Sequence, residues 1–373
     1  MYIQRAIYNK IFHNLFKNKA IIIYGARQVG KTTLINKIKD NSKYKTIYLN
    51  CDETDVRQAL TNKTSTELKN FIGDNKLVII DEAQRVQNIG LSLKLLTDNF
   101  KDIQVIATGS SSFELSNKIS EPLTGRKTEF HLYPFSVKEL SQNLSDIELS
   151  RSLEDFLIFG MYPEINVNKS NRKNLLLELA TSYSYKDVLQ FDKIRNSAIL
   201  EKLLQLLALQ IGSEVSYTEL AGNLGIDKNT VAKYIDILEQ AFIIFTLKPF
   251  SRNLRNELKK LRKVFFWDTG IRNALINNFN PLDLRQDAGA LFENFIIVEK
   301  IKKNSNNLTF PNYYFWRTQD KKEIDLLEEI DGKISAYEIK LKKEKVKEHK
   351  IFKETYPNSS FATINKNNFI EFL

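Results

Sequence analysis

A chain of 373 residues with 42% apolar side chains is long enough for two or three packed domains, which excludes a small disulfide- or metal-stapled scaffold. Its net charge of +10, from 55 Lys and Arg against 45 Asp and Glu, permits an acidic partner such as nucleic acid without demanding one. The single cysteine, Cys51, rules out an internal disulfide framework, and no apolar run is long enough to span a membrane, so a cytoplasmic location without a membrane partner is expected. The first residues, Met1-Tyr2-Ile3-Gln4-Arg5, contain no long apolar signal core.

Residues 20–24, 46–49, 77–80 and 104–108 read as short apolar strands, and 31–39 as a helix. Such alternation predicts an α/β fold with a mostly parallel sheet covered by helices. Between the first strand and the first helix stands Gly25-Ala26-Arg27-Gln28-Val29-Gly30-Lys31-Thr32, followed by Thr33. This is a G-x-x-x-x-G-K-[ST] phosphate loop in the setting that the motif requires. Its glycines let backbone N–H groups turn toward phosphate oxygens, and the helix N-terminus adds partial positive charge. Lys31 is expected to reach the β- and γ-phosphates of ATP, and the Thr32 hydroxyl to ligate Mg²⁺.

The strand at 77–80 runs into Asp81-Glu82. Asp81 is the expected Mg²⁺ partner, directly or through water, and Glu82 the residue that orients the attacking water. The strand at 104–108 ends in Gly109-Ser110-Ser111-Ser112, where Ser110 is a candidate for touching the γ-phosphate or the water. Arg126, in Thr124-Gly125-Arg126, is a candidate arginine finger toward its own or a neighbouring subunit, which leaves an oligomer open; a plain surface arginine is the alternative.

Residues 136–212 read as mostly helical, with a break at Gly160-Met161-Tyr162-Pro163. Ser216-Tyr217-Thr218-Glu219 opens a short helix with a capping-box pattern, Leu224-Gly225-Ile226 gives a turn, and Asp227 caps a second helix. An apolar strand follows at 242–247, so the segment reads as a helix-turn-helix with a wing. Double-stranded DNA is a candidate partner, and packing or protein contact is the equal alternative. The second helix carries Lys228 and Lys233 against Asp227, Asp236 and Glu239, which suits phosphates poorly. The next stretch carries Lys248, Arg252, Arg255, Lys259, Lys260, Arg262 and Lys263 against Glu257, and is the better candidate for a nucleic-acid backbone.

Near the end, Asp331-Gly332 is a favoured two-residue hairpin turn. With those two as loop residues, Asp325 falls opposite Glu338, and Glu323 opposite Lys340, all on one face. Facing carboxylates repel unless a positive group lies between them, so a divalent cation beside Lys340 is expected. The three histidines, His13, His131 and His349, lack metal-ligand spacing, and Tyr313-Tyr314-Phe315-Trp316 reads as a buried strand.

These residues resemble the AAA-superfamily ATPases that carry a C-terminal domain of unknown function 4143. The resemblance rests on the phosphate loop through Thr33-Leu34, Asp81-Glu82-Ala83-Gln84, Thr108-Gly109-Ser110-Ser111, Leu123-Thr124-Gly125-Arg126, Gly160-Met161-Tyr162-Pro163-Glu164 and Trp267-Asp268-Thr269-Gly270-Ile271-Arg272. It implies a P-loop AAA-type ATPase core at 1–135, a helical lid at 136–212, a winged helix at 213–263 and an α/β restriction-endonuclease-like domain at 264–373. Asp325, Glu338 and Lys340 resemble the D…E-x-K site of that nuclease fold, and Glu293 the extra acid that such nucleases often supply. A protein partner without cleavage is the rival reading of the same segments.

Overall fold

The computed structural model describes residues 2–109, 119, 121–182, 197–250, 262–318, 320, 322–342 and 346–373. They form two compact units, one of Tyr2–Tyr133 with Gln240–Phe242, the other of Pro134–Glu239 with Ile243–Leu373.

In the first unit, β1 (Ala20–Tyr24), β2 (Thr46–Asn50), β3 (Leu77–Asp81), β4 (Gln104–Gly109) and β5 (Lys127–His131) form one parallel sheet in the order β2-β3-β4-β1-β5. Every residue of β1, β3 and β4 is buried. Parallel crossovers place helices on the faces of a sheet, so its central strands must be apolar on both sides, and they read as unbroken runs. The edge strand β5, Lys-Thr-Glu-Phe-His, carries no such run and left no apolar signal in the sequence. Because β4 lies between β1 and β3, the carboxyl ends of three strands meet at one edge, where ligands bind in open α/β sheets.

The second unit opens with helices at Val137–Leu140, Asp146–Phe159, Pro163–Val167, Arg172–Ser182 and Ser197–Leu209. The break at Gly160 has a steric cause. Its φ is +71°, and a Cβ there would meet Asp268 Oδ1 at 2.0 Å. Asp268 is buried; it accepts from the Met161 amide at 2.7 Å and caps the helix Thr269–Leu275 by accepting from Ile271 N at 3.1 Å. A Cβ on Gly270 would in turn meet the Phe159 carbonyl oxygen at 2.2 Å. The two motifs at 160–164 and 267–272 therefore lock each other. Gly160→Ala should cost about 2–4 kcal/mol, combining a left-handed alanine with overpacking. Denaturant unfolding measures this, and an unchanged midpoint would refute the lock.

Next come β6 (Glu214–Val215), the helices Tyr217–Leu224 and Lys228–Gln240, β7 (Ile244–Pro249) and β8 (Arg262–Phe266). Ser216 accepts from Glu219 N at 3.4 Å, Gly225 takes φ +65°, and Asp227 accepts from the amides of Asn229 and Thr230 at 2.9 and 3.0 Å. β6 and β7 both pair antiparallel with β8. The helix Ala288–Asn306 leads to β9 (Asn312–Arg317), β10 (Glu323–Ile330), β11 (Lys333–Lys340) and β12 (Ser360–Asn365). A parallel pairing, Lys248↔Tyr314 and Pro249↔Phe315, joins β7 to β9, so one seven-stranded sheet runs β12-β11-β10-β9-β7-β8-β6. β8 thus straddles position 263, where the sequence suggested a boundary.

The hairpin turns at Asp331 (φ +51°) and Gly332 (φ +79°), two successive left-handed residues of the kind that match strand twist. Its ladder runs from Ile330↔Lys333 to Leu326↔Tyr337, the register expected from Asp-Gly. Trp316, Ile324, Leu327 and Ala336 pack with Phe352 and Tyr356 beneath it. Among the described residues no helix is long and apolar enough to cross a membrane.

Candidate functional site

The phosphate loop leaves the end of β1 and enters the helix Lys31–Asp40 through Gly30, whose φ of +96° suits only glycine. Gly25 has no room for a side chain, since a Cβ would lie 2.2 Å from the Leu132 carbonyl oxygen. Lys31 Nζ donates to the carbonyls of Gly25 and Ala26 at 2.8 and 2.9 Å. Thr32 and Thr33 are exposed at the helix start, and Thr32 Oγ1 donates to Asp81 Oδ2 at 2.9 Å. The loop and the acidic strand end, far apart in sequence, thus share a hydrogen bond. Gly25, Ala26, Arg27, Gln28, Val29, Gly30, Lys31, Thr32 and Thr33 form one continuous turn beside Asp81.

Asp81 is buried and accepts from more donors than the sequence disclosed. Tyr48 OH donates to Oδ2 at 2.7 Å, Thr108 Oγ1 donates to Oδ1, and Glu82 N donates to Oδ1 at 3.2 Å. Burial first, then Asp81, pushes the Tyr48 phenol well above its ordinary value, so it stays a donor. Glu82 adopts left-handed backbone (φ +52°) at the strand end, and the Gln84 amide donates to its carboxylate. A bulky residue in that region is a strained position that the surroundings must hold. Arg5, buried, donates to Val29 O at 2.6 Å and to Tyr133 O, tying the loop backbone to the exit of β5. Tyr48 and Arg5 belong to no motif; only the fold brings them here. Cys51 is packed, and burial followed by Asp81 pushes its thiol up to about 12.

Ser110 lies outside the described residues. Arg126 precedes β5, and its carbonyl accepts from Ala20 N at the opposite end of the sheet. The length of β1, roughly 13 Å, separates it from the loop, and its guanidinium pairs with Asp98 at 2.6 Å. This placement suits an exposed surface arginine or one that faces a neighbouring subunit.

In the second unit, Glu293, Asp325, Glu338 and Lys340 lie in one cluster, but lysines organise it. Lys340 Nζ is 2.7 Å from Glu338 Oε1 and 3.6 Å from Asp325 Oδ2. Lys263, the last residue of the basic stretch, is buried and lies 3.1 Å from Glu293 Oε1 and 2.5 Å from Glu323 Oε1. The ladder stops one pair short of Asp325 and Glu338, and β10 bulges between Ile324 and Leu327. Asp325 Oδ2 instead accepts from Ile339 N at 2.7 Å. Burial raises the carboxyl pKa of Glu293, Asp325 and Glu338, with mutual repulsion adding to it for Glu293 and Glu338. Glu338 Oε2 has no hydrogen-bond partner among the described residues. Among those residues no three His, Cys, Asp or Glu side chains are grouped so as to hold a metal ion. In this structure two ammonium groups supply the positive charge beside the facing acids.

On the helix Lys228–Gln240, Glu239 accepts from Thr246 N at 2.7 Å and turns inward, while Lys228, Lys233, Asp227 and Asp236 are exposed. The outward face is thus balanced rather than acidic. Of the basic strip, Arg252, Arg255, Lys259 and Lys260 lie outside the described residues.

Family models match three stretches of the chain: an AAA domain at residues 17–141, a domain of unknown function (DUF8612) at 150–282 and a domain of unknown function (DUF4143) at 288–370. An uncharacterized protein of Mycobacterium tuberculosis is 26% identical over 332 residues, covering 87% of this chain and 71% of its own. One from Methanocaldococcus jannaschii is 26% identical over 365 residues, covering 90% and 81%. Among solved structures, coordinating Pif1 helicases at forked double-stranded DNA overlap 48% of this chain and 52% of their own, at 13% identity and a TM-score of 0.26. Drosophila ORC bound to AT-rich DNA and Cdc6 overlaps 73% and 90%, at 10% identity and a TM-score of 0.25. Scores this low carry no argument. The family matches and the phosphate loop on a parallel sheet show that this chain carries an AAA domain at residues 17–141 and a C-terminal domain of unknown function 4143 at 288–370.

Proposed function

We propose that this protein binds and hydrolyses ATP with Mg²⁺, and that its second unit engages DNA. The observation that carries the first half is the hydrogen bond from Thr32 to Asp81, which assembles the two halves of a phosphate site at the carboxyl edge of β1, β3 and β4. The residues fit the ligand: Gly25 and Gly30 leave the loop backbone bare, and the Thr32 hydroxyl is exposed beside a buried carboxylate. In this reading the N–H groups of residues 25–33 cradle the phosphates, and Lys31 exchanges its two carbonyl partners for β- and γ-phosphate oxygens. Thr32 would ligate Mg²⁺, with Asp81 supporting it through the Thr32 hydroxyl, and the bound ion would neutralise charge developing on those oxygens. Glu82 orients the attacking water.

For DNA, support comes from the capped pair of helices followed by the β7–β8 hairpin, a winged-helix order of elements, and from the +10 net charge. The lysine-filled acid cluster favours a second reading, a nucleotide-dependent switch that binds a protein partner without cutting. Since the acids do not fit a resident metal, no cleavage step is derived through them. Phosphate release from ATP that requires Mg²⁺ and is lost in Lys31→Ala tests the first half. A gel shift on duplex DNA, repeated with Mg²⁺, tests the second: a shift without fragments supports DNA binding, fragments restore a nuclease, and no shift favours the protein switch.

A further inference from the structure

We infer that Tyr48 is a positioning residue of the nucleotide site, holding Asp81 in the orientation from which it serves Mg²⁺. The inference rests on the ATP reading above and concerns a residue outside both sequence motifs. β2 pairs in parallel with β3, with Tyr48 beside Ile79 and Asn50 beside Asp81. The long phenol therefore runs forward along the strand direction and brings its hydroxyl to Asp81 Oδ2. A shorter hydroxyl residue at the same place would not reach.

A carboxylate offers about four acceptor directions. On Asp81, Oδ2 takes Tyr48 and Thr32, and Oδ1 takes Thr108 and Glu82 N. Each donor comes from a different place: β2, the phosphate-loop helix, β4 and the chain just beyond β3. The carboxylate cannot rotate without breaking several of these bonds together. Thr32 gives its proton to Oδ2, so its oxygen lone pairs are left for a cation. Tyr48 shares that same oxygen, and losing it frees Asp81 to turn away from Thr32. A hydroxyl donating to a charged acceptor is among the stronger single hydrogen bonds. Its loss should appear in what Mg²⁺ contributes to nucleotide binding, rather than in metal-free binding through the loop amides and Lys31.

Tyr48→Phe removes the hydroxyl and keeps the ring. Binding of a fluorescent ATP analogue, titrated in Mg²⁺ and again in EDTA, should show the Mg²⁺-dependent gain in affinity shrinking about tenfold. Affinity in EDTA should match wild type, while the thermal midpoint should fall by a few degrees, the cost of one hydrogen bond to a buried carboxylate. The Mg²⁺ concentration for half-maximal hydrolysis should rise by a similar factor. An unchanged Mg²⁺-dependent gain overturns the role of Tyr48 while leaving the ATP reading intact. Equal loss with and without metal also overturns it, because it marks a general packing defect. If wild type binds no nucleotide under either condition, the ATP reading fails first, and the inference with it.

Discussion

Glu82→Gln should lower ATP turnover by about a hundredfold or more while leaving Mg²⁺-dependent nucleotide affinity within about twofold of wild type. In the proposed reading the nucleotide and its Mg²⁺ are held by the loop, Lys31, Thr32 and Asp81, whose own hydrogen bonds the substitution leaves in place. What it removes is the charged oxygen that draws a proton from water. Glutamine has the same length, so the left-handed backbone at residue 82 and its amide bond to Asp81 can persist. Gln84 donates to the Glu82 carboxylate, and a neutral amide oxygen at that place can still accept from it. Equilibrium binding and single-turnover hydrolysis, measured side by side, separate the two effects. Wild-type turnover in the variant would end the assignment of Glu82. Weakened binding to the same degree as the lost turnover would make it a structural residue instead.

Lys263→Met should destabilise the second unit by about 3–5 kcal/mol, the cost typical of removing one partner of a buried ion pair. Methionine keeps the volume and the apolar stem, so the loss isolates the ammonium. That group is all but inaccessible and is shared between Glu293 and Glu323. Its removal leaves two acids facing Asp325, with Lys340 pairing only Asp325 and Glu338. The pH dependence supplies a second readout. Burial raises the folded-state pKa of Glu293, Asp325 and Glu338 above the ordinary carboxylate value. A group raised in this way contributes stability that is full below the unfolded pKa and fades as pH rises through the folded one. Glu293 is pushed up to about 8, so the deficit of Lys263→Met should be largest above that pH and shrink as pH falls through it and Glu293 takes up a proton. Adding Glu293→Gln should recover part of the loss at alkaline pH. Urea unfolding at several pH values measures this, and a deficit independent of pH would show that Lys263 acts through packing.

Features set by a few adjacent residues were legible in the sequence alone. The phosphate loop is one: two glycines, a lysine and a threonine at fixed spacing between an apolar strand and a helix specify its backbone conformation. The hairpin is another, because Asp331 and Gly332 both accept left-handed backbone, and a two-residue turn dictates which residues pair as far as Leu326 and Tyr337. Asp227 and Ser216 announced helix starts because their short side chains cap amides two or three residues on. The buried runs of β1, β3 and β4 told of a sheet covered on both faces. Strand order was not legible, because the crossover helices that set it leave no mark of which strand they return to. Only that order puts Arg126 at the far edge, brings Tyr48 and Thr108 onto Asp81, and joins β7 to β9 through two residue pairs 66 positions apart in the chain. Charge was the other blind spot. Counting lysines assigns each one to solvent, whereas the pairing of β8 with β7 and β6 turned Lys263 inward, where it pairs with Glu293 and Glu323.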